Sequence, residues 1–224
     1  MLYQDRKEGG KKLSSLLQQY AGRDDVLVLG ILKGGLAVAH EVARELQLPF
    51  NFVIVSKIQP SGHSHVALAA ITEMGIYLSN DQLISLFGYS PEMMEKLLFT
   101  YIDKTEELSS KYRERYPMGS LEQYKTVILV DDGIASGVSM KAAVLSLQRM
   151  GVQKIVVASP VASLTGLSLL KKVVDDVRVL STPFFFSYLH NYYEKFPKIA
   201  DTEIEAMLSD MADSFACEQN IRNY

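Results

Sequence analysis

The stretch Val127-Ile128-Leu129-Val130-Asp131-Asp132-Gly133-Ile134-Ala135-Ser136-Gly137-Val138-Ser139 carries the decisive pattern of this chain. Its first four residues are apolar and mostly β-branched, as in a strand of a parallel sheet covered on both faces. Two adjacent carboxylates follow where that strand ends, and ligands of open α/β sheets bind beyond the carboxyl ends of strands. A Gly/Ser-rich turn then runs into a helical pattern over residues 140–150. Small residues, two hydroxyls and backbone N–H groups at a helix start make a socket for phosphate. A phosphate socket beside two acids suited to sugar hydroxyls describes a site for a phosphorylated ribose. The plainer alternative is a generic strand–turn–helix loop in which one acid only caps the turn.

Working outward, strands are expected at 25–30, 50–55, 67–78, 125–130, 154–159 and 177–180, and helices at 5–20, 36–46, 90–116, 140–150 and 201–211. This alternation predicts an α/β, doubly wound and mainly parallel sheet flanked by helices, with right-handed crossovers. Ser90-Pro91-Glu92 supplies an N-cap, a proline at the first helical position and an acid in the first turn. The long helix it opens carries Met93, Leu97, Tyr101, Leu108 and Tyr112 as its apolar stripe, with Lys104, Glu106, Glu107 and Lys111 read as solvated. Residues 57–65 form a loop. Its His63 and His65, two apart among Gly and Ser, are read as polar loop residues rather than metal ligands. Residues 1–224 are read as a single domain, with 182–224 as a C-terminal cover that forms a small hood. Candidates for the hood wall are Val161-Ala162-Ser163 and the aromatic run from Phe184 to Tyr193; the rings either stack on a planar acceptor or belong to the core.

The chain has 224 residues, 48% of them hydrophobic and 22% charged, with a net charge of −3. That length supports a sizeable core, and the acidic balance, with no basic run longer than two residues, disfavours nucleic acid as the ligand. The lone cysteine, Cys217, excludes an internal disulfide and a cysteine-rich metal site. No signal-peptide core and no apolar run of ~20 residues is present, so a cytoplasmic protein without membrane association is expected.

A second glycine loop, Gly30-Ile31-Leu32-Lys33-Gly34-Gly35, lies between the first strand and its helix. Its spacing fits neither the dinucleotide fingerprint nor a nucleotide P-loop. A cation before two glycines at a helix start suits a second phosphate group; otherwise the glycines merely close a turn and Lys33 is solvated.

Residues 127–139 resemble the phosphoribosyl-pyrophosphate (PRPP) signature of the type I phosphoribosyltransferases: an apolar strand, two acids, a turn ending in Ser/Thr-Gly, and a further Ser/Thr. Leu32-Lys33-Gly34-Gly35 resembles the diphosphate loop of the hypoxanthine-type members, which implies a cis peptide between Leu32 and Lys33. The likeness is nearest to a bacterial and archaeal group of predicted phosphoribosyltransferases. It extends over Asp5-Arg6-Lys7-Glu8-Gly9-Gly10, residues 57–73 and Tyr193-Glu194-Lys195-Phe196.

The resemblance implies the type I fold and transfer of 5-phosphoribosyl from PRPP to a nitrogenous acceptor, a nucleobase, with release of pyrophosphate. Ile134, Ala135, Ser136, Gly137, Val138 and Ser139 would hold the 5-phosphate. Asp131 and Asp132 would accept the ribose diol and orient Mg²⁺ indirectly, through PRPP or water. Lys33, with the backbone of Leu32, Gly34 and Gly35, would serve the diphosphate, and Lys57 would reach it from the loop that closes over PRPP. A homodimer is also implied. The chain departs from the group's pattern at Leu32-Lys33, where Pro-Arg is usual, at Ser56, where arginine is expected, and at His65, where glutamate is expected. Ala135 stands where hypoxanthine-type enzymes carry an aspartate, which argues against an oxopurine acceptor. A PRPP-binding regulator without turnover and a ribose-phosphate hydrolase remain the alternatives.

Overall fold

The structure is a computed structural model that describes residues 2–62 and 66–210. The expectations for His63, His65, Cys217 and the last residues of the tail lie outside the described residues. A seven-stranded sheet runs in the order β4-β3-β2-β1-β5-β6-β7. Its strands are β1 (Val26–Leu32), β2 (Phe50–Ile58), β3 (Ala69–Thr72), β4 (Tyr77–Ser79), β5 (Thr126–Val130), β6 (Lys154–Val161) and β7 (Asp176–Ser181). The helices are α1 (Arg6–Ser14), α2 (Gly34–Leu46), α3 (Asp81–Leu86), α4 (Pro91–Arg113), α5 (Val138–Arg149) and α6 (Leu164–Leu170), with residues 201–210 also helical.

Strands β2, β1, β5, β6 and β7 are mutually parallel, while β3 and β4 add an antiparallel edge. Residues 67–78, expected as one strand, break into β3 and β4 around Gly75, which sits at φ +77° and donates its N–H to the Thr72 carbonyl. A side chain rarely adopts that backbone angle, so the glycine fixes the turn.

All of β1 and β5 is buried, as expected for strands covered on both faces. Alternate residues feed two apolar layers. Val26, Val28 and Leu32 join Leu13, Leu17, Leu36, Phe52, Tyr112 and Ile204 on one face; Leu27, Leu29 and Ile31 join Val144, Leu147 and Val157 on the other. The expected first helix is α-helical only to Ser14 and then tightens into a 3-10 segment (Ser15–Tyr20), which leaves Leu16 exposed. In α4, capped by Ser90 as expected, the buried positions are Met94, Thr105 and Tyr112, and Met93 points outward. The apolar stripe therefore starts one residue later than the sequence pattern suggested. Helices α3 and α6 were not foreseen, being too short for a 3.6-residue period to show.

Winding reverses between β1 and β5: β1 leads through α2 to β2 on one side, and β5 leads through α5 to β6 on the other. Gly30 pairs with Val130 across these strands, so the loops leaving β1 and β5 emerge side by side. Such a switch point opens the crevice in which doubly wound proteins bind ligands.

Candidate active site

Two glycines let the neighbouring loops meet. A Cβ on Gly34 would lie 2.1 Å from Asp132 Oδ2, and one on Gly35 would lie 2.6 Å from the Val130 carbonyl oxygen. Any larger residue would push the first loop off the acid pair. The peptide between Leu32 and Lys33 is cis, as the resemblance implied.

The two acids face different partners. Asp131 lines a cleft of about 280 Å³ together with Lys57, Ala135, Ser136, Gly137 and Ser139. Its carboxylate lies 3.9 Å from Lys57 Nζ and accepts the Asp132 N–H at 2.9 Å. Burial raises the Asp131 pKa above the usual carboxylate range; Lys57 pulls it back, and the Asp132 charge raises it further. Asp132 accepts from Arg6 Nε at 2.7 Å and does not line the cleft. The Asp132 carbonyl accepts from Tyr193 Oη at 2.6 Å, and burial raises the pKa of that hydroxyl, keeping it a donor. Arg6 lies over the Phe196 ring at 3.7 Å and donates to the Pro197 carbonyl at 2.8 Å.

The turn between the acids and α5 is braced from behind. Gly137 takes φ +79° as the residue preceding α5, so backbone N–H groups at the start of a twelve-residue helix open onto the cleft. Ser163 donates to the Ala135 carbonyl at 2.5 Å, accepts from the Gly166 N–H at 2.8 Å as the α6 N-cap, and gives its own N–H to the Ile134 carbonyl. Residues 161–163, expected as acceptor wall, thus hold the turn between the acids and the helix.

The C-terminal segment closes the other side. Phe186, Ser187 and Leu189 line the cleft, and Leu189 occupies the room above Gly133, where a Cβ would meet its Cδ1 at 2.0 Å. Phe184 and Phe185 are exposed, so they belong neither to the core nor to this wall.

Among the expected cations, Lys57 faces Asp131, whereas Lys33 Nζ pairs with Asp201 Oδ1 at 2.9 Å. Asp201 also accepts from Lys111 at 2.5 Å and Tyr112 at 3.1 Å. Lys111, then Lys33, hold its carboxyl well below the usual range. Glu73 is neither exposed nor paired with Lys57. It takes a bidentate fork from Arg113 at 2.6 and 2.7 Å, which ties α4 to the turn after β3. Ser56 accepts from Thr105 on α4 and so faces away from the cleft. No group of three or more His, Cys, Asp or Glu suited to a metal occurs among the described residues. Arg6 and Asp201 were given no part in the site by the sequence reading, Lys111 was read as solvated and Ser163 as acceptor wall; Arg6 and Ser163 lay within noted segments.

The phosphoribosyl transferase domain family matches residues 2–191. The chain belongs to that family. Two curated proteins of Mycobacterium tuberculosis strains, provisionally named phosphoribosyl transferases, are each 30% identical to it over 218 residues, 96% of this chain. The match takes in 48% of their length, so the chain spans about half of these relatives. The crystal structure of TT1426 from Thermus thermophilus is 32% identical, with a TM-score of 0.74, over 94% of this chain and 99% of that one. The fold is therefore the type I phosphoribosyltransferase α/β fold, and the acid pair, glycine loop and braced turn occupy the switch point of its sheet.

Proposed function

We propose that this protein transfers 5-phosphoribosyl from PRPP to a nitrogenous acceptor, a nucleobase, and releases pyrophosphate. The observation that carries the reading is the contact of the loops that follow β1 and β5 across one buried acid pair, with Gly34 and Gly35 pressed onto Asp132 and Asp131.

In this reading the amides and hydroxyls of Ile134, Ala135, Ser136, Gly137, Val138 and Ser139 hold the 5-phosphate at the start of α5. Asp131, the carboxylate in the cleft, takes the ribose diol. The loop of Leu32, Lys33, Gly34 and Gly35 receives the diphosphate, and Lys57 covers it from the end of β2. Breaking the C1–O bond builds positive charge on the sugar ring, as in glycoside cleavage. Asp131, which lines the cleft, faces that charge with Asp132 behind it, and preorganised amides and cations stabilise the departing diphosphate. The acceptor nitrogen then attacks C1 beside Leu189 and Phe186. Ala135 supplies no base, so the acceptor is one that needs no carboxylate at that position.

Mg²⁺ fits the donor set in one respect. It favours oxygen ligands and is commonly held by one or two carboxylates together with substrate phosphates, and Asp131 offers one carboxylate to the cleft. Asp131 would hold the ion, which when bound would supply positive charge against the departing diphosphate. Segment 182–210 serves as the hood in this reading, and neither nucleic acid nor membrane is needed. Among the described residues no helix is long and apolar enough to cross a membrane.

The test is pyrophosphate release from Mg·PRPP against a panel of purines, pyrimidines and pyridines. Release with one base supports transfer. Release with water alone points to a hydrolase, and tight PRPP binding without release points to a regulator.

A further inference from the structure

Each acid of the pair has its own cation, and one of these comes from the far end of the chain. Asp131 faces Lys57 at 3.9 Å, while Asp132 is bonded to Arg6 at 2.7 Å. The Arg6 and Asp132 side chains are only 12% and 8% exposed, so solvent screens this pair weakly. Asp132 Oδ2 presses against Gly34 in the diphosphate loop. An uncompensated carboxylate there would oppose any polyanion entering that loop, and Lys33 is already engaged by Asp201.

We propose that Arg6 is a positioning residue for the diphosphate end of the cleft, acting through Asp132. Its Nε fixes the carboxylate that borders Gly34 and cancels its charge. Phe196 beneath the guanidinium and the Pro197 carbonyl at Nη1 hold the fork in place. A planar guanidinium suits this slot and an ammonium does not, because stacking and two directed bonds act together. The inference rests on the phosphoribosyl reading but assigns a residue which that reading does not use. It gives a role to the Asp5-Arg6 and Tyr193–Phe196 motifs, which converge on Asp132 from opposite ends of the chain.

The test compares two ligands that differ at C1. The full chain, Arg6→Ala and Arg6→Lys are titrated calorimetrically with Mg·PRPP and with ribose 5-phosphate, which lacks the diphosphate. Loss of a charged hydrogen-bonded partner is expected to weaken PRPP binding about tenfold in Arg6→Ala. Ribose 5-phosphate affinity should hold, Arg6→Lys should fall between, and added ethylguanidinium should restore Arg6→Ala toward the parent. Equal loss for both ligands would mean that Arg6 only holds the termini together, and unchanged PRPP binding would remove its role altogether. Should Arg6→Ala not fold, the same contrast is read on Arg6→Lys. A parent chain that binds neither ligand sinks the phosphoribosyl reading itself, whereas one that binds both, with equal losses, sinks only the assignment of Arg6.

Discussion

Asp131 is held in the cleft at a cost that pH should reveal. Burial raises its folded pKa above the ordinary carboxylate value. The protonated form is therefore the one that folding favours. Stability from this group is fully present below the unfolded pKa of about 4 and is lost as pH rises through the raised folded value. Asp131→Asn should flatten that decline, so its melting temperature at pH 8 should equal or exceed the parent's. Its PRPP-dependent turnover should nevertheless fall by at least about a hundredfold. A variant that melts early at pH 8 would contradict the account. Gly34→Ala is a second test at this scale. Its Cβ cannot coexist with Asp132 Oδ2 at 2.1 Å, so the loop or the acid must move, at about 1–3 kcal/mol. Urea unfolding measures that cost, and PRPP affinity should drop with it.

Between elements, the α6 N-cap Ser163 braces the turn before α5 through both its hydroxyl and its backbone N–H. Ser163→Ala removes the α6 cap and frees the Ala135 carbonyl, at about 1 kcal/mol; ribose 5-phosphate binding should weaken severalfold by calorimetry, since the turn loses its support. On the opposite flank, Arg113→Met would strand the buried Glu73 carboxylate and should cost about 3–5 kcal/mol in denaturant unfolding. How far these features were legible follows from distance along the chain. The signature strand, its acids and the glycine loop were readable because each is contiguous, with its meaning set by neighbours one to four residues away. The parallel sheet followed from strands alternating with helices. Ser163 works on a turn 28 residues earlier, and Arg6 on an acid 126 residues later. No local period records such pairs. The Met93 stripe missed by one residue because both Met93 and Met94 are apolar, and only packing against Ile58, Leu68 and Ala69 beside the antiparallel edge decides which turns inward.

Across the whole molecule, the N-terminal segment and residues 192–195 are sewn together beside the site. Tyr3 and Tyr193 form a parallel bridge, Lys195 donates to the Gln4 carbonyl, and Tyr3 Oη donates to the Pro160 carbonyl at 2.7 Å. From the same C-terminal region, Asp201 holds Lys33 and Lys111, all three about half exposed. Asp201→Asn should release Lys33 toward the cleft and tighten pyrophosphate binding severalfold at low ionic strength. Most of that gain should vanish at high salt, because exposed charges are screened within about 10 Å at 0.1 M. The measurement that bears most directly on the central claim is a calorimetric titration of Mg·PRPP into the full chain and into Asp131→Asn. One saturable site is expected in the parent and a large loss of affinity in the variant, with both chains equally folded by circular dichroism. Equal binding by the two, or no binding by the parent, would contradict it.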